Sequence, residues 1–326
     1  MRIWSLGTIV TAVSLAIPAV TQSPKYPVVA FAIGRTLTLA TASGQIAREI
    51  HLKHPLFDFA FSRDRNLLVT VAPDTEHGGT MSLLDLRGNS QTQLTNGHLY
   101  FKHLNKGETE VYDDPQFSPD GRSLAFAIHG NLPGDGNDAE ENSGPIAVFD
   151  FKSHQIRVLK STENIDGQGP CSESNPMWSP DGKWILFNCE NGAFITDALG
   201  TNLHPLKIGT EDKPVTSAVA WVGNNCVLYL QSADVPPYAP RASDEARLLN
   251  LRTSESQGTA ILFTFPLESV AGLAEASESA VIRRNSWGSG YSSIVETKET
   301  QWQFPSPVTA HVLGGWLYAT IPQGCD

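Results

Sequence analysis

FSPDGRSLAFAI at Phe117–Ile128 and WSPDGKWILFNC at Trp178–Cys189 are one pattern written twice. In each, an aromatic residue ends a short strand, Ser-Pro-Asp-Gly makes a turn, and a run of large apolar residues starts the next strand. The turn chemistry is specific. Pro119 and Pro180 preset φ at the second turn position, Asp120 and Asp181 tolerate the third, and Gly121 and Gly182 take the positive φ that lets a hairpin close with its right-handed twist. Each stretch is therefore a β-hairpin. A hairpin alone cannot bury both faces, so the recurrence predicts stacked units.

Outward from these copies the unit recurs in weaker form. Val28–Leu52 aligns with Trp184–Ile208 and lacks the strand before the turn. Phe57–Thr95 is complete but degraded, with Phe61-Ser-Arg-Asp-Arg-Asn standing where Phe-Ser-Pro-Asp-Gly would. Asp114–Lys160 and Asn175–Ile208 hold the clear copies, Ser217–Phe265 follows with VGNN as its turn, and Glu268–Phe304 is weaker still. Val308–Ile321 looks like the first strand missing from the opening unit, plus at least one more. Trp316–Ile321 and Val28–Ile33 compete for second place in that sheet. The anchors Phe61, Phe117, Trp178 and Trp221 lie 56, 61 and 43 positions apart, and the excess lengths map to insertions at Asn96–Asp113, His129–Gly144 and Val235–Pro240. Leu124, Phe126 and Ile128 alternate with Ala125 and Ala127, so both faces of that strand are apolar and its sheet must be sandwiched between neighbours. The predicted fold is an all-β six-bladed β-propeller closed by strands from the two chain ends. A parallel β-helix is the runner-up; its coils are shorter and more even.

The signature P-x-[WF]-S-P-D-G-[KR]-x-[IL]-x-F, present at Pro115–Phe126 and Pro176–Phe187, resembles the WD40-like repeat of the TolB-type six-bladed propellers, an exported bacterial family. The resemblance covers most of the chain, strongly in two units and loosely in the others. It implies a periplasmic or secreted propeller that holds a protein or cell-envelope partner. Similar repeats occur in the gating propellers of prolyl peptidases and in some exported lyases. The motif residues build blades and say little about activity.

The first residues agree with export. Met1–Ser23 carries one cation, Arg2, and no other charge precedes Lys25. With small residues at Ala16 and Ala19, this predicts a signal peptide over residues 1–22, cut after Ala19 or Thr21, ahead of a single propeller domain over 23–326. An uncleaved anchor is the rival reading, because the uncharged run is nearly long enough to span a bilayer. No later segment reads as a membrane span. Without Arg2 the chain has 22 cations against 34 acids, a net charge near −12. Such a surface repels nucleic acid and anionic lipid, and it keeps a monomer soluble without naming a partner.

Four cysteines in an exported chain allow three disulfide connectivities. Folding the second hairpin about Pro180 and Asp181 sets Cys171 opposite Cys189, so these two are expected to be bridged. Cys226 and Cys325 are the remainder. No two cysteines have the C-x₂₋₄-C spacing of a zinc site.

Motifs that would carry chemistry are weak. Gly134-Asp135-Gly136-Asn137-Asp138-Ala139 follows a G-x-G-x-x-A outline, but its acids would repel a pyrophosphate and no helix pattern follows. The same loop offers Asp135, Asn137, Asp138, Glu140 and Glu141 as oxygen ligands, without EF-hand spacing. A solvated acidic loop is the simpler reading. Nine histidines are scattered, from His51, His54 and His77 through His98, His103 and His129 to His154, His204 and His311. None forms a helical pair, although His129, at the end of its strand, is placed to face the ring axis or its mouth. No G-x-S-x-G elbow occurs, and Ser289 between Gly288 and Gly290 reads as loop. No catalytic, metal or cofactor residue is therefore assigned. The expected function is that of a non-catalytic exported binding propeller; the alternative is a metal-assisted lyase or hydrolase acting on saccharide with histidines gathered from several blades.

Overall fold

A computed structural model of the chain describes residues 29–41, 45–62, 64, 66–72, 80–88, 90–95, 99, 109–131, 144–159, 173–189, 192–208, 213–214, 217–231, 244–263, 280–285, 292–297, 301–304, 309–312 and 324–325. In chain order the strands are β1 (Val29–Ile33), β2 (Thr36–Ala40), β3 (Ile46–His51), β4 (Asp58–Phe61), β5 (Leu67–Ala72), β6 (Thr80–Asp85) and β7 (Ser90–Gln93). There follow β8 (Thr109–Phe117), β9 (Ser123–Asn131), β10 (Ile146–Asp150), β11 (Gln155–Val158), β12 (Ser174–Trp178), β13 (Trp184–Cys189), β14 (Gly192–Asp197) and β15 (His204–Pro205). The rest are β16 (Lys207–Ile208), β17 (Lys213–Pro214), β18 (Ser217–Val222), β19 (Cys226–Gln231), β20 (Asp244–Asn250), β21 (Ser256–Phe263), β22 (Ala280–Asn285), β23 (Ser292–Thr297), β24 (Gln301–Phe304) and β25 (Thr309–Val312). Among the described residues they form five four-stranded antiparallel sheets, β25-β1-β2-β3, β4-β5-β6-β7, β8-β9-β10-β11, β12-β13-β14-β15 and β18-β19-β20-β21, with a three-stranded β22-β23-β24 and a two-stranded β16-β17.

The Ser-x-Asp turn is what repeats. In the two clear copies Gly121 and Gly182 sit at φ 70° and 71°, and their N–H groups donate to the Ser118 and Ser179 carbonyls at 2.9 Å. The serine hydroxyls donate to Asp120 and Asp181 at 2.7 Å and accept from the N–H of Ser123 and Trp184 at 2.9 Å. The degraded copy keeps this network: the Ser62 hydroxyl donates to Asp64 at 2.7 Å and accepts from Leu67 N–H at 3.0 Å. Proline and glycine were dispensable there because the hydroxyl and carboxylate satisfy the turn's backbone groups.

Both faces of β9 are buried, as its double alternation predicts, with Leu124 to Ile128 all at 0% exposure. Leu124, Phe126 and Ile128 pack with Val69, Val71 and Met81 of the preceding sheet. Ala125 and Ala127 pack with Trp178, Ile185 and Phe187 of the following one. The next interface repeats the scheme, with Leu186 and Ile195 against Trp221, Val227 and Tyr229. The sheets therefore stack face to face, which is what apolar residues on both faces require.

First strands of successive sheets also meet: β4 lies against β8, β8 against β12, β12 against β18, β22 against β25 and β25 against β4. β25 pairs with β1, Phe31 opposite Ala310, so Val29–Ile33 takes second place in the sheet that joins the two halves of the chain. Trp316–Ile321 and the expected signal segment, residues 1–22, lie outside the described residues.

The hairpin register departs from expectation. Ser179 N–H donates to the Trp184 carbonyl, which centres the turn between Asp181 and Gly182; Trp178 then pairs with Ile185 and Ser174 with Asn188. Continued one step, the ladder sets Glu173 across from Cys189, two residues short of Cys171. Cys189 is disulfide-bonded, while Cys171 lies outside the described residues. Cys226 is joined to Cys325, 99 positions away.

Candidate functional site

The first strands carry a run of polar clasps between sheets. Asp114 and Asn175 occupy equivalent positions and both adopt left-handed backbone, at φ 48° and 52°, which Asp and Asn tolerate better than other side chains. Each precedes a proline at a β-bulge, where the ladder shifts between Asp113 and Gln116 and between Ser174 and Met177. A bulge leaves a backbone N–H unpaired. The Asp114 N–H donates to Asp58 Oδ2 and the Asn175 N–H to Asp114 Oδ2, both at 2.8 Å. In the next sheet the equivalent residue is Ala218, which has no acceptor to offer. Asn188 takes over, accepting from Ala218 N–H at 2.8 Å and donating to its carbonyl at 3.0 Å. The tryptophan anchors add a second link, Trp178 Nε1 donating to the Gln116 carbonyl and Trp221 Nε1 to that of Met177.

Because equivalent residues touch, neighbouring sheets point the same way. The Ser-x-Asp turns lie at one end. At the other, Thr109 faces Asn131 and Gln231 faces Glu245, so the three insertions found in the sequence all attach there. Two of them are shorter than expected, the first ending earlier because β8 starts at Thr109 and the second beginning later because β9 runs to Asn131; the bulge at Asp114 carries the ladder past the Asp-Pro pair that reads as a strand start. His98, His103, the acidic residues from Asp135 to Glu141, and Val235–Pro240 lie outside the described residues, as do His77 and Ser289.

Buried carboxylates fasten the roots of these insertions. Glu110, fully buried, accepts from the Tyr112 hydroxyl at 2.7 Å and from Leu99 N–H at 2.5 Å. Glu173, also fully buried, accepts from Ile146 N–H at 2.9 Å. Gly144 passes so close to the Ile128 carbonyl that a Cβ would sit 2.0 Å from its oxygen. Sequence reading missed both glutamates, because a single buried acid has no spacing signature.

Between the roots stands His129. Its Nε2 lies 3.0 Å from Asp113 Oδ1, a diagonal cross-strand pair on β9 and β8. Burial opposes charging of the imidazole, but the close Asp113 carboxylate and the negative charges of Asp114 and Glu173 outweigh it, holding the pKa above the ordinary 6.5. An imidazolium–carboxylate pair can hold a proton near neutrality. Among the described residues no three His, Cys, Asp or Glu side chains are arranged to hold a metal ion. The other described histidines are dispersed: His51 faces Thr36, His54 is exposed, His154 packs edge-on to Phe149, His204 lies at the opposite end, on a cleft, and His311 sits opposite Ala30 in β25.

TolB from Acinetobacter baumannii is similar over 90% of this chain and 67% of its own, at 16% identity and a TM-score of 0.50. The fold is that of the TolB-like propellers. The same likeness extends to the tricorn protease, with a TM-score of 0.52 and 10% identity over 86% of this chain, which spans only 30% of that enzyme. It extends also to an oligogalacturonate lyase from Vibrio parahaemolyticus, with a TM-score of 0.50 and 13% identity, covering 83% of this chain and 71% of the lyase. No protein-family model matches the sequence, and no curated protein matches it either.

Proposed function

We propose that the chain is an exported, non-catalytic propeller whose loop-bearing end binds a protein or cell-envelope ligand. The observation that carries this reading is the attachment of three insertions at one end of rigid stacked sheets, two of them rooted by buried carboxylates. Loops held by a rigid scaffold are where binding usually resides. In this reading residues 23–326 form one six-bladed ring, with β22–β24 as the sixth blade and β25 on β1 as the latch. Residues 1–22 direct export to the periplasm or beyond; the Cys226–Cys325 disulfide supports an oxidising compartment. Cys171 and Cys189 form a second bridge, supported by the oxidised state of Cys189. The ring works as a monomer, without nucleic acid or a cofactor.

The test is retention of envelope proteins by the immobilised chain and by a variant with residues 132–143 and 235–240 replaced by short glycine-serine links. Loss of a specific partner with unchanged thermal stability supports the reading; equal retention by both proteins removes it. N-terminal sequencing of the exported protein decides the signal peptide.

A second reading is a saccharide lyase using a metal held by histidines, favoured by the fold likeness to an oligogalacturonate lyase. Its test is metal analysis of the purified chain together with formation of unsaturated product from oligogalacturonate.

A further inference from the structure

At the tight-turn end, away from the insertions, the fourth and fifth sheets leave a cleft of about 400 Å³, within the size range of small-ligand sites. The fourth sheet contributes Trp184 and His204, and the segment after it Lys207. The fifth contributes Asn225, Leu249 and Arg252. In a chain of net charge −11, this wall carries two permanent cations and a histidine, and among the described residues no carboxylate lines it.

Arg252 is set for anion recognition. Its Nε donates to Asn225 Oδ1 at 3.0 Å, which orients the guanidinium and leaves its two terminal amino groups without a partner among the described residues. Two parallel N–H donors match the two oxygens of a carboxylate. Asn225 Nδ2 is a second donor on the same wall, buried and without a hydrogen-bond partner among the described residues. Trp184 and Leu251, both partly buried, supply apolar surface to the same cleft. The chain's end holds the wall in place, since Asn225 N–H donates to the Cys325 carbonyl at 3.1 Å and Asn250 Nδ2 to that of Gly324 at 3.2 Å, next to the Cys226–Cys325 bridge.

We infer that this inter-sheet cleft is a binding site for a small ring-bearing carboxylate, seated with its carboxylate on the Arg252 fork and its ring against Trp184 and Leu251. The site is independent of the loop-bearing end, so neither proposal depends on the other.

Benzoate is the probe and benzyl alcohol the uncharged control, each titrated calorimetrically into the full chain with its disulfides intact. The expected result is saturable benzoate binding with a Kd of about 1 mM or tighter and at least about tenfold weaker binding of the alcohol. Arg252→Gln and Arg252→Lys, both at an exposed position, should each weaken benzoate about tenfold or more, the lysine variant because it keeps the charge and loses the fork. Asn225→Asp, near-isosteric, should weaken it similarly by neutralising Arg252. Absence of saturable binding, equal affinity for the alcohol, or undiminished benzoate affinity in all three variants overturns the proposal.

Discussion

Asp114 shows how one side chain can serve two neighbouring sheets. Its N–H is held by Asp58 and its carboxylate holds Asn175, while its own backbone is left-handed. Asp114→Ala removes the acceptor from the half-buried Asn175 N–H and places alanine in a conformation it resists. The expected loss is about 2–4 kcal/mol in urea unfolding. Asp114→Asn should stay within about 1 kcal/mol, since asparagine already fills the equivalent place at position 175. An equal loss in both variants would show that charge, not geometry, is what this position supplies. His129 makes a different prediction at the same scale. Its folded pKa is raised above its unfolded value, so its stabilising contribution is complete below about pH 6.5 and fades as pH rises through the folded pKa. His129→Gln should therefore destabilise the chain more at about pH 5.5 than at about pH 8.5, and the His129 imidazole resonance of the parent chain, assigned by its loss in the variant, should titrate above 6.5. A larger penalty at the alkaline end contradicts the ion pair.

At the scale of the strand and turn, the sequence was most readable where chemistry repeats. Ser-Pro-Asp-Gly announced its hairpin, and the double apolar alternation of Leu124–Ile128 announced a sheet covered on both sides. The register was harder. An offset of two residues follows from whether the turn is centred on Pro180-Asp181 or on Asp181-Gly182, and only the Ser179–Trp184 backbone bond decides it. The bulges were invisible for a related reason: an Asp-Pro or Asn-Pro pair reads as a strand boundary, yet here it marks a kink inside a continuous ladder. The turn glycines offer a clean test of backbone strain. A Cβ on Gly121 meets nothing within 4 Å, so Gly121→Ala changes conformational energy without a clash. Its expected cost is about 1–2 kcal/mol, and Gly121→Asn should recover part of it; a loss well beyond that range would mean a contact has been disturbed as well.

Over the whole molecule, repetition made the stack legible, whereas the cleft and the Cys226–Cys325 bridge were not, because both arise where the chain's end meets the fifth sheet far away in sequence. The proposed ring gives these long-range contacts a common meaning. In a linear array each terminal unit loses one neighbour, and stability is close to a sum over adjacent interfaces. A latched ring has no terminal unit, so opening it uncovers two sheet faces together. Two devices bear on this: β25 on β1, and the bridge enclosing 99 positions. Cys325→Ser removes a constraint on the unfolded chain and should cost about 2–5 kcal/mol while leaving a single unfolding transition. His311→Pro acts on the latch itself. It sits opposite Ala30 in β25, where the alternation of the antiparallel ladder turns its N–H toward β1, so proline removes a ladder donor and should cost about 1–3 kcal/mol. If the ring is closed there, calorimetry of His311→Pro should resolve an early transition for the sheets flanking β25, with hydrogen exchange accelerated in β1–β3 and β22–β24 before the fourth and fifth sheets. A single transition with uniform exchange would mean that the units hold together pairwise and that the ends do not latch the molecule.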